Sequence, residues 1–312
     1  MNNSFTLRLG VAAAMVSACV ASNAAGDLLV CSLLTDEVLR YDGDTGAYIG
    51  VFADTAFDGP QGITLGPDGN VYVASEYSAN ITKWSPTGAY LGEFVPPTGG
   101  WEDLEFGPDG NLYAIAHFGL AAGPISQFDG STGAYLGQWG SGAAISHQHG
   151  MAFGPDGDLY FGHSIFGPVG SIGKIDQTSG AFVGDIVGHP LLDGIFDLVF
   201  HGGIVYTNDH FGGGVHKFDP VTGAYLGDLV VGGAPTWGMI FHDDGLFYVA
   251  AGGSVNRYDA VTGAFHDTFA TGIGGAAGIA FLPVPEPATL CGMAVGLILA
   301  ARRKRTLRAM KS

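Results

Sequence analysis

The sequence predicts an all-β fold, a six-bladed β-propeller with four-stranded blades, and three observations support it. One phrase occurs six times: YDGDTGAYIG from Tyr41, WSPTGAYLG from Trp84, FDGSTGAYLG from Phe128, IDQTSGAFVG from Ile175, FDPVTGAYLG from Phe218 and YDAVTGAFHD from Tyr258. Its anchoring glycines, Gly46, Gly88, Gly133, Gly180, Gly223 and Gly263, are 42, 45, 47, 43 and 40 residues apart. That is the period of propeller blades rather than of helical arrays. A second phrase runs in step: QGITLGPDGNVYVAS from Gln61, EDLEFGPDGNLYAIA from Glu102 and HGMAFGPDGDLYFGH from His149, with degenerate copies from Phe196 and Trp237. The third observation is at the ends. The first unit opens with LLVCS at Leu28, a second strand without its first, and the last closes with AGIAFLP from Ala277, a first strand without its second.

Each element follows from local chemistry. In the blade from Gln61, strand one is ITL, and the GPDG turn that follows fixes φ at proline, bonds its aspartate to the backbone and takes a left-handed residue at glycine. Strand two is VYVAS, strand three ITKWS, and strand four AYLGEF after the Thr-Gly turn. All alternate with the period of a strand. Closure then requires residues 278–282 to complete the blade begun by Leu28 to Phe52, leaving no free edge inside the ring. Glycine, 53 of 312 residues, matches a chain made of tight turns. The recurrent aromatics Tyr48, Tyr90, Tyr135, Phe182, Tyr225 and Phe265 are expected to pack between blades. Residues 27–283 form the propeller.

The termini address the chain. Residues 1–24 combine Arg8, an apolar run from Leu9 to Val20 and Ser22-Asn23-Ala24, a secretory signal peptide cut after Ala24 by the Sec pathway. Val16-Ser17-Ala18-Cys19 also fits the pattern at which bacterial lipoproteins are acylated on cysteine, so Cys19 is an alternative processing point. Residues 284–312 hold Pro285-Glu286-Pro287, an apolar run from Ala288 to Ala301 and the basic cluster Arg302-Arg303-Lys304-Arg305. The run is shorter than the roughly 20 residues of a permanent span, and the basic cluster keeps its end cytoplasmic. Motif, apolar helix and basic tail in that order resemble the PEP-CTERM sorting signal. The resemblance implies a transient inner-membrane anchor, processing by exosortase and a final place at the cell surface or outside the cell, often in an exopolysaccharide or biofilm matrix.

Charge and cysteine usage narrow the function. Only Arg40, Lys83, Lys174, Lys217 and Arg257 are basic between Asp27 and Glu286, against 29 acidic residues, a net charge of −24. Such a surface repels nucleic acid and anionic lipid. With Cys19 in the leader and Cys291 in the tail, Cys31 alone remains in the propeller; it aligns with Ala74 and Ile115 as a buried strand residue, and no internal disulfide forms. Asp42 and Asp44 before Gly46 read as turn residues. No nucleophile elbow, phosphate loop or paired-cysteine zinc motif occurs.

The strand–Asp-Gly–LYVAD-like pattern of residues 27–282 resembles NHL-repeat and gluconolactonase-like propellers, whose site is the mouth of the central channel. Aligned on the repeats, Gln61, Glu102, His149, Phe196, Trp237 and Ala277 stand at the entrance to strand one. Gly62, Asp103, Gly150, Asp197, Gly238 and Gly278 follow, a glycine series broken twice by carboxylates. Glu76, His117, His163, Asp209 and His210 lie after strand two, and His147 shares a face with His149 if extended. Glu76, Glu102, Asp103, His117, His147, His149, His163, Asp197 and His210 are therefore the candidate channel-mouth residues. Glu102, Asp103, His149 and Asp197 are the candidate ligands of a divalent metal, calcium or zinc. Relatives with lactonase activity hold calcium through a Glu, Asn and Asp set, to which Glu102, Asp103, Asp197 and Asn208 are chemically similar without reproducing its motif.

Two functions remain open. One is an exported binding or structural component that engages polysaccharide or a matrix protein. The other is a metal-dependent hydrolase or lyase of lactone-like or sugar-like substrates working at the channel mouth, with the same carboxylates and imidazoles as general base.

Overall fold

The computed structural model describes residues 26–284 apart from 120–124, 141–148, 164–169 and 193, with 117–119 described as backbone alone. Ala24, Cys19, the Pro285-Glu286-Pro287 motif, the apolar run that follows it and His147 lie outside the described residues. Among the described residues, 24 strands numbered in chain order make six antiparallel four-stranded sheets. Blade 1 runs outward as β24 (Ala276–Phe281), β1 (Leu28–Ser32), β2 (Glu37–Tyr41) and β3 (Tyr48–Ala53). Blade 2 is β4 (Pro60–Leu65), β5 (Val71–Ser75), β6 (Ile81–Trp84) and β7 (Tyr90–Val95); blade 3 is β8 (Gly99–Phe106), β9 (Leu112–Gly119), β10 (Ile125–Phe128) and β11 (Tyr135–Trp139). Blade 4 is β12 (Met151–Phe153), β13 (Leu159–His163), β14 (Gly170–Ile175) and β15 (Phe182–His189). Blade 5 is β16 (Leu198–His201), β17 (Ile204–Asp209), β18 (Gly214–Phe218) and β19 (Tyr225–Val230); blade 6 is β20 (Thr236–Phe241), β21 (Leu246–Ala251), β22 (Ser254–Asp259) and β23 (Phe265–Thr271).

The ring closes as the terminal half-blades require. β24 pairs with β1 through Leu28↔Phe281, Leu29↔Ala280 and Val30↔Ile279, and Leu282 N–H donates to Asp27 O at 2.9 Å. Every residue of β1 is buried. Strand two of each blade is covered by neighbouring blades on both faces, which is why VYVAS and LYFGH are buried throughout, whereas strand four shows its outer half to solvent.

Blades are joined by the tyrosine of strand two. Tyr72, Tyr113, Tyr160, Tyr206 and Tyr248 meet Phe106, Phe153, Phe200, Phe241 and Phe281 of the next blade edge-on, with ring centroids 4.8–5.1 Å apart. In four of the five the hydroxyl donates to the turn aspartate four residues earlier: Tyr72 to Asp68, Tyr113 to Asp109, Tyr160 to Asp156 and Tyr248 to Asp244, at 2.7–3.0 Å. The aspartate thus shapes the hairpin and also aims the ring that bridges two blades. Edge-to-face pairs of this kind contribute about 0.5–1.5 kcal/mol beyond their buried area.

The recurrent aromatics of strand four behave differently from the expectation. Tyr48, Tyr90, Tyr135, Tyr225 and Phe265 are exposed and pack within their own blade, on Tyr41, Trp84, Phe128, Phe218 and Tyr258 of strand three; Tyr225 also meets the expectation by stacking on His189 of blade 4 at 5.0 Å. A side chain on the outermost strand has no sheet beyond it, so half of the ring stays in water. Otherwise the inter-blade contact of that phrase is made by its glycine. Gly46 has φ +69°, and a Cβ there would lie 2.0 Å from Phe269 O of the preceding blade. The Asp42 carboxylate accepts from Thr45 N–H and Oγ1–H at 2.8 and 2.7 Å, the structural turn read from the sequence. Cys31 is fully buried, and burial pushes its thiol far above the ordinary range.

Ending the chain at Gly275 removes β24 and uncovers the edge of β1. The expected outcome is loss of cooperative melting by circular dichroism and aggregation on gel filtration, whereas ending it at Val284 leaves both unchanged.

Candidate functional site

The six inner strands, one per blade, surround a central channel of about 460 Å³. They approach so closely that each junction is decided by the residue after the entrance position. A Cβ on Gly62 would lie 2.8 Å from Glu102 O, one on Gly150 2.4 Å from Asp197 Cα, one on Gly238 2.6 Å from Ala277 O and one on Gly278 2.3 Å from Gln61 O. Those four junctions are backbone against backbone. At the other two the carboxylates reach across. Asp103 Oδ2 accepts Met151 N–H of blade 4 at 2.8 Å and its Oδ1 accepts Leu104 N–H at 2.8 Å; Asp197 Oδ2 accepts Met239 N–H of blade 6 at 2.6 Å. Glu105 adds a third stitch, accepting Phe153 N–H at 3.1 Å.

These acids are enclosed by protein yet face the channel. Burial pushes the Asp103 carboxyl up to about 7, with the charge of Glu102 adding to the rise and the two N–H bonds opposing it. Glu105 is pushed up to about 8 by burial and by Asp103. Asp197 is raised well above the carboxylate range by burial first and Asp103 second. Among the described residues no lysine or arginine lines the channel, and His149 and His201 are the basic side chains that do.

The mouth lies at the entrance positions. His149 Nδ1 is 2.6 Å from Glu102 Oε2, both side chains buried, and the imidazole stacks on Phe196 with centroids 4.1 Å apart. His210 covers the other side of Phe196 at 4.1 Å, and Trp237 meets Phe196 edge-on at 4.6 Å. His210 Nδ1–H donates to Thr236 O at 2.9 Å, and burial holds its imidazole below the ordinary range. Gln61 Nε2–H donates to Glu76 Oε2. Asn208, fully buried, fastens these parts: Oδ1 accepts Phe196 and Asp197 N–H at 2.8 and 2.9 Å, and Nδ2–H donates to Thr236 O and Trp237 O at 2.8 and 3.0 Å.

Two exposed rings flank this mouth. Tyr77, 58% exposed, lies over Gly59, whose Cβ would be 2.5 Å from the ring, and its phenol is raised by the charge of the adjacent Glu76. Phe211, 55% exposed, lies over Gly194 with 2.7 Å for the same atom. The two rings belong to blades 2 and 5, opposite members of the ring, and both underlying glycines have positive φ, +64° and +87°.

The structure therefore gathers Glu102, His149 and His210 at the mouth, joins Glu76 to Gln61, and sets Asp103 and Asp197 along the channel wall. His163 does not line the channel; its Nε2 is 2.7 Å from Asp185 on the outer strand of its own blade. The His117 side chain and all of His147 lie outside the described residues. Sequence reasoning missed Glu105, although EDLEF puts a carboxylate where the other blades have Thr64, Ala152, Val199, Ile240 and Ala280. It also missed Tyr77 and Phe211, which sit in loops outside the repeat. A divalent metal does not fit the donors expected for it. Glu102 and His149 engage each other, Asp103, Asp197 and Asn208 are occupied by backbone partners, and no three His, Cys, Asp or Glu side chains among the described residues form a ligand group.

Residues 283–305 match the PEP-CTERM protein-sorting motif. That motif marks an exported protein processed by exosortase and sorted to the cell surface. No helix among the described residues is long and apolar enough to cross a membrane. No curated protein matches the chain. Solved structures with the same architecture include a chain of a nidogen/laminin complex (TM-score 0.65, 16% identity, 82% of this chain and 98% of that one). A protein of unknown function from Bacteroides caccae is similar (0.64, 13%, 83% and 100%), as is virginiamycin B lyase from Staphylococcus aureus (0.50, 17%, 67% and 69%). At these identities the likeness is one of fold.

The raised carboxyls set a pH dependence. A carboxyl whose folded value lies above its unfolded one, about 4, stabilises the fold at low pH and loses that contribution as pH rises through the folded value. Between pH 6.5 and 8.5, above the range where His210 titrates, Tm is expected to fall by a few degrees, at about 2–4 °C per kcal/mol for a domain of this size. Glu105→Gln should flatten the profile measured by differential scanning calorimetry.

Proposed function

We propose that the protein is a surface-sorted binding module that holds a matrix polysaccharide at the channel mouth. One observation carries this reading: two exposed aromatic rings, Tyr77 on blade 2 beside Glu76 and Phe211 on blade 5 against Phe196, stand next to mouth residues that include Glu102 and Gln61. Concave sites with aromatic walls and a few placed polar groups suit small rigid rings, and a sugar presents one apolar face together with hydroxyls. The net charge of −24 between Asp27 and Glu286 and the acids at the mouth disfavour uronate polymers and favour neutral or amine-bearing ones. The sorting motif supports delivery to where such polymers are. The signal peptide ending at Ala24 exports the chain, and the apolar run from Ala288 anchors it in the inner membrane until exosortase acts.

A hydrolase or lyase acting through calcium or zinc at Glu102, Asp103, His149 and Asp197 is the weaker reading, because those donors are already engaged. Elemental analysis of the purified propeller is expected to find neither metal at a stoichiometric level, in the parent protein as in Glu102→Ala plus Asp197→Ala.

Binding to chitosan, dextran and alginate separates the possibilities by charge. The expected order is chitosan above dextran above alginate, still present at 0.5 M salt, where simple ion attraction is screened. Tyr77→Ala and Phe211→Ala should each weaken chitosan binding about threefold to tenfold, for roughly 0.5–1.5 kcal/mol per ring, with Tm unchanged because both rings are exposed. Equal binding by parent and double variant would remove the mouth from the reading.

A further inference from the structure

The loop that leads from strand four of one blade to strand one of the next carries a repeated device. Four residues before the entrance position stand Phe57, Thr98, Leu192, Gly233 and Ile273 in the described loops. Phe57, Leu192 and Ile273 are buried plugs in the seams between blades 1 and 2, 4 and 5, and 6 and 1. Phe57 packs edge-on against Trp84, the last residue of strand three in blade 2, at 5.8 Å. Gly233 needs no plug, since the backbone of Gly213 closes on it: a Cβ on Gly213 would lie 2.5 Å from Gly233 O. Thr98 is exposed and fills nothing.

Where the plug is lacking there is a cavity. It has about 510 Å³ and is walled by Phe94, Trp101, Phe128 and Tyr135, with Ser126 and Gln138 as polar edges, and among the described residues no charged one lines it. Trp101, a wall of this cavity, stands edge-on to Phe128 at 5.4 Å, as Phe57 stands to Trp84 in the preceding seam. Its indole N–H, on a side chain 1% exposed, meets no acceptor among the described residues. A buried donor without a partner is rare in folded proteins and marks a place where an acceptor from outside the chain is accommodated. The volume lies within the range of small-molecule sites.

We infer that the seam between blades 2 and 3 is a second binding site, for a neutral, ring-bearing small molecule that offers one hydrogen-bond acceptor to the Trp101 indole. Neutrality follows from the uncharged lining and from the strongly negative protein around it, which would repel an anion and give a cation no partner in the cavity. A flat ring matches walls made of four aromatic side chains, which prefer edge-to-face and offset contacts. The site is separate from the channel mouth, with which it shares no lining residue.

The test uses prodan, a neutral fluorescent naphthalene with a carbonyl acceptor, on the propeller ending at Val284. The expected result is saturable binding of one probe per chain, with energy transfer from tryptophan. Thr98→Phe, which supplies the missing plug, should weaken binding at least tenfold with Tm unchanged or raised; Thr98→Leu serves if the phenylalanine variant does not fold. Tyr77→Ala plus Phe211→Ala should bind the probe as the parent does, so failure at the mouth and failure at the seam are distinguished. Absence of saturable binding by the parent, or undiminished binding by both Thr98 variants, would overturn the proposal.

Discussion

The closeness of the six inner strands governs this molecule. Around the axis, backbone meets backbone, so the residue after each entrance position has no room for an ordinary side chain directed at its neighbour. Two solutions occur. Gly62, Gly150, Gly238 and Gly278 yield the space; Asp103 and Asp197 send a carboxylate along the strand to take an N–H from the next blade. The junction that demands the smallest residue and the junction that imports a charge are answers to one geometric condition.

That condition shapes the chemistry. Carboxylates installed as inter-blade acceptors end up inside a narrow channel without basic partners, and their titration moves to neutral pH as a by-product of holding the ring together. Perturbed acids in a cleft are commonly read as catalytic. Here the bonds they accept give a structural account of them, and the groups available to a ligand are displaced outward, to rings and polar side chains that no strand pairing requires. Asn208 marks the boundary: all of its amide capacity goes to fastening the loops that carry Phe196 and Trp237.

Much of the architecture was legible because repetition separates rule from exception. The blade period, the GPDG hairpins and the split first blade follow from spacing and turn chemistry, and the structure has all three. Asp103 and Asp197 were legible as departures, but their partners were not, since an N–H of the next blade leaves no trace in a sequence. The strand-four aromatics pack between blades at Tyr225 and His189 but otherwise stay on their own blade, because recurrence shows that a position is used, and not which side faces water. Tyr77, Phe211 and Thr98 escaped because loops between strands vary in length, and the position of a loop residue against a neighbouring blade emerges only when the blades are superposed.

The first blade is assembled from both ends of the propeller, β1 from its start and β24 from its finish. A chain with this connectivity crosses a membrane with its opening strand paired to β2 on one edge and the other edge unpaired until roughly 250 residues have followed. Maturation on the far side is therefore all or nothing with respect to length: an interrupted translation product or a clipped precursor presents an unsatisfied sheet edge, the feature proteases and chaperones engage most readily. Residue 281 closes the ring and the match to the sorting motif begins at residue 283, so the last strand of the fold and the sorting signal are neighbours in the sequence.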